Sequence, residues 1–235
     1  MDLDTWVVTP TYNEADNLER LVRALRAVLP EVGVLVVDDG SPDGTGELAE
    51  GLGRELGRIE VLKRAGKQGL ATAYVAGFAR LLAQGAGRIV QMDADLSHDP
   101  ADVPRLLTAL DQGADLALGS RYVPGGGTRN WPLDRRLLSR FGSLYSRLWL
   151  GLPVRDLTGG FKAWTRATLQ GVLTQEVASD GYAFQVELTW RAIRGGASVV
   201  EVPIIFTERE DGVSKMSRDI AVEAAWLVPL LRFRR

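Results

Sequence analysis

An α/β fold with a mostly parallel sheet flanked by helices is predicted by three features of the sequence. Short β-rich apolar runs alternate with stretches whose apolar residues recur at helical spacing. One run, Val34-Leu35-Val36-Val37, is apolar throughout, as strands covered on both faces tend to be. Chemically loaded loops follow the runs at 5–9, 34–37, 88–92 and 115–118, the side on which parallel sheets gather their ligands.

Residues 5–9 form a first strand, stopped by Pro10, and Leu18, Leu21, Val22, Leu25, Val28 and Leu29 then mark a helix. The strand at 34–37 runs into the acidic turn Asp38-Asp39-Gly40-Ser41-Pro42-Asp43-Gly44-Thr45, and helical spacing returns at 48–56. Strands at 59–62, 88–92 and 115–118 alternate with helices at 69–82 and 103–110, which implies right-handed crossovers. Pro124-Gly125-Gly126-Gly127 then opens an irregular stretch, expected to be a mobile lid, that carries Arg129, Trp131, Arg135 and Arg136. A helix at 137–150, a tight turn at 156–162, a helix at 182–193 and one late strand at 198–206 complete the reading.

Composition removes several function classes. Without cysteine there are no disulfides, no thiolate zinc site and no thiol catalysis. A formal charge of -2 and a pI near 5.6 give no basic field for nucleic acid. The first loop reads Thr-Pro-Thr-Tyr-Asn-Glu where a dinucleotide fold has its glycine fingerprint, and no P-loop motif occurs. No apolar run approaches the roughly 20 residues that span a bilayer, and the opening residues lack a signal-peptide pattern, so a cytoplasmic protein is expected.

The central stretch is Gln91-Met92-Asp93-Ala94-Asp95-Leu96-Ser97-His98-Asp99-Pro100. If the strand persists, Gln91, Asp93 and Asp95 share one face, and two carboxylates in one crevice suit a hard divalent cation with oxygen ligands. An acidic turn capping its own amides is the alternative. His98, the sole histidine, is read as a loop cap rather than a base.

Together with this stretch, Pro-Thr-Tyr-Asn-Glu at 10–14, the acidic turn at 38–45 and Gly-Ser-Arg-Tyr at 119–122 resemble the polyprenyl-phosphate (dolichol-phosphate) mannose synthases, family 2 glycosyltransferases of GT-A, Rossmann-like fold. Segments at 156–161, 181–187 and 206–215 match in order, so the resemblance covers about residues 5–216. It implies inverting, metal-dependent transfer of mannose from GDP-mannose to polyprenyl phosphate. Transfer of glucose or another hexose from a UDP-sugar and a non-catalytic nucleotide-sugar-binding subunit remain alternatives. Pro10, Tyr12, Glu14, Val37 and Asp39 would hold the nucleoside. Asp93, Ala94 and Asp95 would lie at the diphosphate, with Asp93, Asp95 and Ser97 as ligands of Mg²⁺ or Mn²⁺; relatives that carry Gln at the position of Ser97 leave that ligand open. Arg121 and Arg135 would meet the acceptor phosphate, Arg121 also touching the donor and serving catalysis with Asp95, and Arg209 and Lys215 would contact the donor.

Residues 1–215 are expected to form the catalytic body and 216–235 a C-terminal helix. Apolar residues at 220–231, Trp226 and the terminal arginines suit a helix at a lipid surface; packing on the body is the alternative. The expected protein is peripheral at the cytoplasmic face of a membrane, with room for a separate membrane-protein partner.

Overall fold

The structure, a computed structural model, describes residues 4–175, 177, 181–208 and 228. Its centre is a seven-stranded sheet. In chain order the elements are β1 (Thr5–Thr11), α1 (Ala15–Val28), β2 (Gly33–Asp38), α2 (Thr45–Leu56), β3 (Ile59–Lys63), α3 (Leu70–Gln84), β4 (Arg88–Gln91), α4 (Val103–Asp111), β5 (Leu116–Ser120), β6 (Gly127–Arg129), α5 (Leu133–Leu150), β7 (Lys162–Thr165), α6 (Arg166–Val172), α7 (Gly181–Arg194), β8 (Val199–Pro203) and β9 (Ile205–Thr207). Spatial order is β3-β2-β1-β4-β7-β5-β8, with β7 alone antiparallel to its neighbours.

Because strand side chains alternate, each strand feeds two cores. Val8, Leu35, Val37 and Ile89 face α3, α6 and α7, while Val7, Val34, Val36 and Val90 face α1, α2 and α4. Gly77 lets α3 lie directly on β1 and β2: a Cβ there would stand 2.5 Å from Val8. The first five strands and the four helices between them match the expected alternation.

Several expectations are corrected. β4 ends at Gln91, and the backbone turns through Leu96 at φ 58°, so strand alternation does not set Asp93 and Asp95. The turn at 156–162 leads into an unforeseen strand, β7, inserted between β4 and β5, followed by an unforeseen helix, α6. The late strand divides at Ile204: β8 extends the main sheet beside β5, whereas β9 pairs with β6 in a separate two-stranded sheet. The expected lid is therefore regular structure at Gly127–Arg129, and α5 begins at Leu133, which places Arg135 on a helix's first turn. Arg209 and Lys215 lie outside the described residues, as does the terminal stretch except Val228, which is buried. Among the described residues no helix is long and apolar enough to cross a membrane.

Candidate active site

The loops after β1 and β2 are stitched into one wall. Asp38 is buried, accepts from the Thr11 hydroxyl at 3.2 Å and from the Ser41 hydroxyl at 2.5 Å, and so shapes the turn. The Asn13 amide donates to the Ser41 hydroxyl at 3.0 Å, and the Glu14 amide to the Thr45 hydroxyl at 3.1 Å. Asp43 takes the Ala15 amide at 3.1 Å and the Thr45 hydroxyl at 2.6 Å; burial pushes its carboxyl up, but these hydrogen bonds prevail and hold it below the usual range.

Asp39 is buried in an ion pair with Arg64 at 2.7 Å and also takes the Gln68 amide. Arg64 is thus a part of this wall that the sequence reading missed. Tyr12 is half-buried beneath Lys67, whose ammonium lies 4.8 Å from the ring centroid. Pro10 and Val37 are register partners at the ends of β1 and β2, with Glu14 on the adjoining loop.

Beyond β4, each acidic residue of the central stretch has its own positioning bond. The Tyr74 hydroxyl of α3 donates to Asp93 Oδ1 at 2.6 Å. Tyr74 is fully buried, and burial first, then the Asp93 charge, pushes its phenol well above its ordinary value, so it remains a donor. Asp95 Oδ1 accepts the Ser97 amide at 3.0 Å. His98 is not a loop cap; it is buried, stacked on Phe161 at 5.0 Å and met edgewise by Phe206 at 5.1 Å, and among the described residues its Nδ1 has no hydrogen-bond partner. Burial holds its pKa below the ordinary value against the opposing pull of Asp93 and Asp95. Asp99 is the actual cap, accepting the Ala101 amide at 2.9 Å.

These donors fit a hard divalent cation. Asp93 and Asp95 offer oxygen only, and among the described residues no cluster of three or more His, Cys, Asp or Glu side chains could hold a metal by itself. Coordination would be completed by a diphosphate and water, the usual division for Mg²⁺ between protein and phosphate ligands.

The opposite wall carries the arginines. Arg121 is buried, and its Nε and Nη2 clasp Asp156 at 2.7 and 2.6 Å. Asp156 is itself set by Glu201, which accepts its amide at 3.0 Å and the Ser120 hydroxyl at 2.7 Å. The guanidinium stands 5.2 Å from the Trp131 centroid and 5.7 Å from that of Phe206. Arg135 pairs with Glu208 and lies 4.4 Å over Trp131. A cleft of about 590 Å³ opens beside Asp95, lined also by Asn17, Leu96, Arg129, Ile205 and Glu208, the partner of Arg135.

Near Asp93 lies a polar group in which Gln91 of the central stretch and Gln185 of the 181–187 segment meet Lys162, to which the sequence reading gave no role. The buried Lys162 ammonium donates to the carbonyl and to Oε1 of Gln185, both at 2.8 Å, and Gln91 Nε2 donates to the same Oε1 at 2.9 Å. Burial pulls the Lys162 pKa down to about 7 against Asp156, which raises it.

Residues 6–172 match the description Glycosyl transferase family 2. The chain is 52% identical over 225 residues to a polyprenol monophosphomannose synthase of Mycolicibacterium smegmatis, covering 95% of this chain and 85% of that protein. It is 49% identical over 217 residues to an undecaprenyl-phosphate mannosyltransferase of Micrococcus luteus, covering 92% and 89%. Among solved structures, the glucosyl-3-phosphoglycerate synthase of Mycobacterium tuberculosis with phosphoglyceric acid superposes at a TM-score of 0.75 with 19% identity, over 100% of this chain and 81% of that one. The same enzyme crystallised with Mn²⁺ and UDP-glucose gives 0.70 at 20% identity, over 98% and 78%. The fold is therefore that of GT-A enzymes, and the chain belongs to glycosyl transferase family 2.

Proposed function

We propose that the chain transfers mannose from GDP-mannose to a polyprenyl phosphate, with inversion at the anomeric carbon. The observation that carries this reading is a chain about half identical to two enzymes named for mannosyl transfer to polyprenyl carriers, with Asp93 and Asp95 on the loop after β4 and Arg121 held by Asp156 at the end of β5.

The donor's nucleoside would lie along the Tyr12, Glu14 and Asp39 wall, against Pro10 and Val37, with its diphosphate at Asp93, Ala94 and Asp95. Bound there by Asp93 and Asp95, with Ser97 nearby, Mg²⁺ or Mn²⁺ supplies Lewis-acid stabilisation of the departing nucleoside diphosphate. Arg209 and Lys215 belong to the donor side of this proposal. Arg135, with Glu208 as its resting partner, meets the acceptor phosphate, and Arg121 supplies fixed positive charge while Asp156 holds its Nε and Nη2 edge.

An acceptor phosphate oxygen attacks the anomeric carbon from the face opposite the diphosphate. The new carbon–oxygen bond forms as the bond to the diphosphate breaks, and an α-linked donor yields a β-linked product. A phosphate monoester is largely deprotonated near neutral pH, since its second pKa is about 6, so no protein base is needed and the buried His98 is spared that role. Positioning of the two phosphates supplies much of the rate.

The enzyme works peripherally at the membrane surface, where its lipid acceptor is held. The test is a donor panel: purified chain, Mn²⁺ or Mg²⁺, a short polyprenyl phosphate, and GDP-mannose beside UDP-glucose. A mannosylated lipid from GDP-mannose alone is expected; a hexosylated lipid from UDP-glucose alone would overturn the donor assignment.

A further inference from the structure

A lysine with no exposed surface stands on an interior strand of the sheet. Lys162, the first residue of β7, donates to the carbonyl and to Oε1 of Gln185, both at 2.8 Å. The carbonyl has a second donor in the Thr189 hydroxyl at 3.0 Å, so satisfying it does not require a lysine. Oε1 is held more firmly, because it takes Lys162 and the Gln91 amide at 2.9 Å together. An ammonium can only donate, which assigns this end of the Gln185 amide as oxygen. Gln91 fixes the same orientation when the lysine is neutral. An apolar side chain of similar volume would fill the place without desolvating a charge, so packing alone gives no reason for the lysine.

The nitrogen end of the amide faces the site. Gln185 is 3% exposed, and among the described residues its Nε2 makes no hydrogen bond. A Cβ placed on Gly160 would stand 3.5 Å from Gln185 Nε2 and 3.5 Å from Asp93 Oδ2, the oxygen that Tyr74 does not hold. One residue earlier, a Cβ on Gly159 would stand 3.5 Å from Asp156 Oδ1, which clasps Arg121. Both glycines are half-buried, so they form a bare backbone floor from the Arg121 pair to Asp93. With the diphosphate at Asp93 and the acceptor phosphate at Arg121, as proposed above, the hexosyl group passes between them, over this floor and beside the Gln185 amide.

We propose that Gln185 Nε2 donates a hydrogen bond to a hydroxyl of the transferred hexose, and that Lys162 is the positioning residue that turns the amide toward it. The proposal rests on the transfer reading above and deepens it by giving the sugar a partner. A carboxylate in this place would repel both phosphates, whereas an amide recognises a neutral hydroxyl without adding charge. Buried donors aimed at a substrate hydroxyl discriminate strongly, because a ligand that lacks the hydroxyl leaves them unpaired.

The test sets GDP affinity, measured by titration calorimetry with Mn²⁺, beside turnover of GDP-mannose in the unaltered chain, Gln185→Leu, Lys162→Met and the double variant, each with its fold checked by circular dichroism. GDP lacks the hexose, so its affinity is expected to stay within about twofold throughout, while Gln185→Leu slows turnover at least about tenfold. Lys162→Met is expected to slow turnover about as much, and to cost less than about twofold more in the Gln185→Leu background, because it acts through that amide. Gly160→Ala, on a half-buried loop and at an ordinary φ, sets a methyl between Nε2 and Asp93. It is expected to slow turnover at least about tenfold with GDP still bound, and it decides the matter where a core variant does not fold. Turnover of Gln185→Leu or Gly160→Ala within about twofold of the unaltered chain overturns the proposal, as do losses that multiply in the double variant, or GDP affinity that falls in step with turnover. If the unaltered chain uses UDP-glucose instead, the donor assignment is struck and the same comparison is made with UDP and UDP-glucose. An unaltered chain that turns over neither sugar strikes the transfer reading itself, a result distinct from any that the variants give.

Discussion

Asp93 takes its orientation from a hydroxyl that lies far away in sequence. Tyr74 to Phe removes the only donor to Asp93 Oδ1 described above while keeping the ring between Phe78 and Phe184. Partners behind metal ligands commonly matter by about 10–100-fold, and Mn²⁺ affinity measured by titration calorimetry should weaken within that range in a folded variant. Unchanged affinity would mean that Asp93 needs no such support. Across the cleft, Arg135→Ala should raise KM for the acceptor by about tenfold or more and leave KM for the donor within about twofold, since a charge-assisted grip on one phosphate is lost. Equal losses would contradict the division of roles. Asp93, Asp95 and Arg121 stood out because their loops carry motifs, and Gln185 lies in the motif at 181–187; Tyr74 and Arg64 did not, because residues inside a helix or after a strand carry no local sign of what they face.

At the level of elements, β5 and β7 share a problem that Asp156 solves. Arg121 is buried at the end of β5, and Asp156, on the approach to β7, neutralises it while Glu201 of β8 fixes Asp156. Breaking a buried pair by removing one partner leaves an uncompensated charge, so Asp156→Ala should destabilise the fold by about 3–5 kcal/mol in urea unfolding. A loss below about 1 kcal/mol would mean that water reaches Arg121. The strands β1, β2 and β4 were visible as apolar runs ended by turn residues. By contrast, β7 is four residues with a lysine at its start, too short for periodicity to mark, and its pairing partners lie 44 to 77 residues earlier in the chain. For α5 the period was legible but not the direction: spacing identifies an apolar stripe, and only contacts reveal that serines take the inner side.

For the molecule as a whole, the expected α/β architecture held, and the polar group under the site gives its stability a pH dependence. Lys162 titrates near 7 when folded because it is buried, against an ordinary 10.5 in the unfolded chain. Between these values the unfolded chain retains a proton that the folded one has released, so stability rises with pH through that window; below about 7 the cost of a buried charge is present in full. Relative to Lys162→Met, the unaltered chain should gain on the order of 2–4 kcal/mol between pH 7 and 10 in denaturant unfolding, and parallel profiles would show that Lys162 keeps its proton. The alternation of strands and helices and the mostly parallel sheet were reachable from patterning, whereas the insertion of β7 and the division of the late strand depend on long-range pairing that no local window contains. The central claim remains the transfer itself. It is tested most directly by incubating the chain with GDP-mannose, Mn²⁺ or Mg²⁺ and a polyprenyl phosphate, and determining the mass and anomeric configuration of the lipid product. The account predicts a β-linked mannosyl phosphate lipid that disappears with Asp95→Ala or on chelation; an α-linked product, or undiminished turnover without metal or without Asp95, would contradict it.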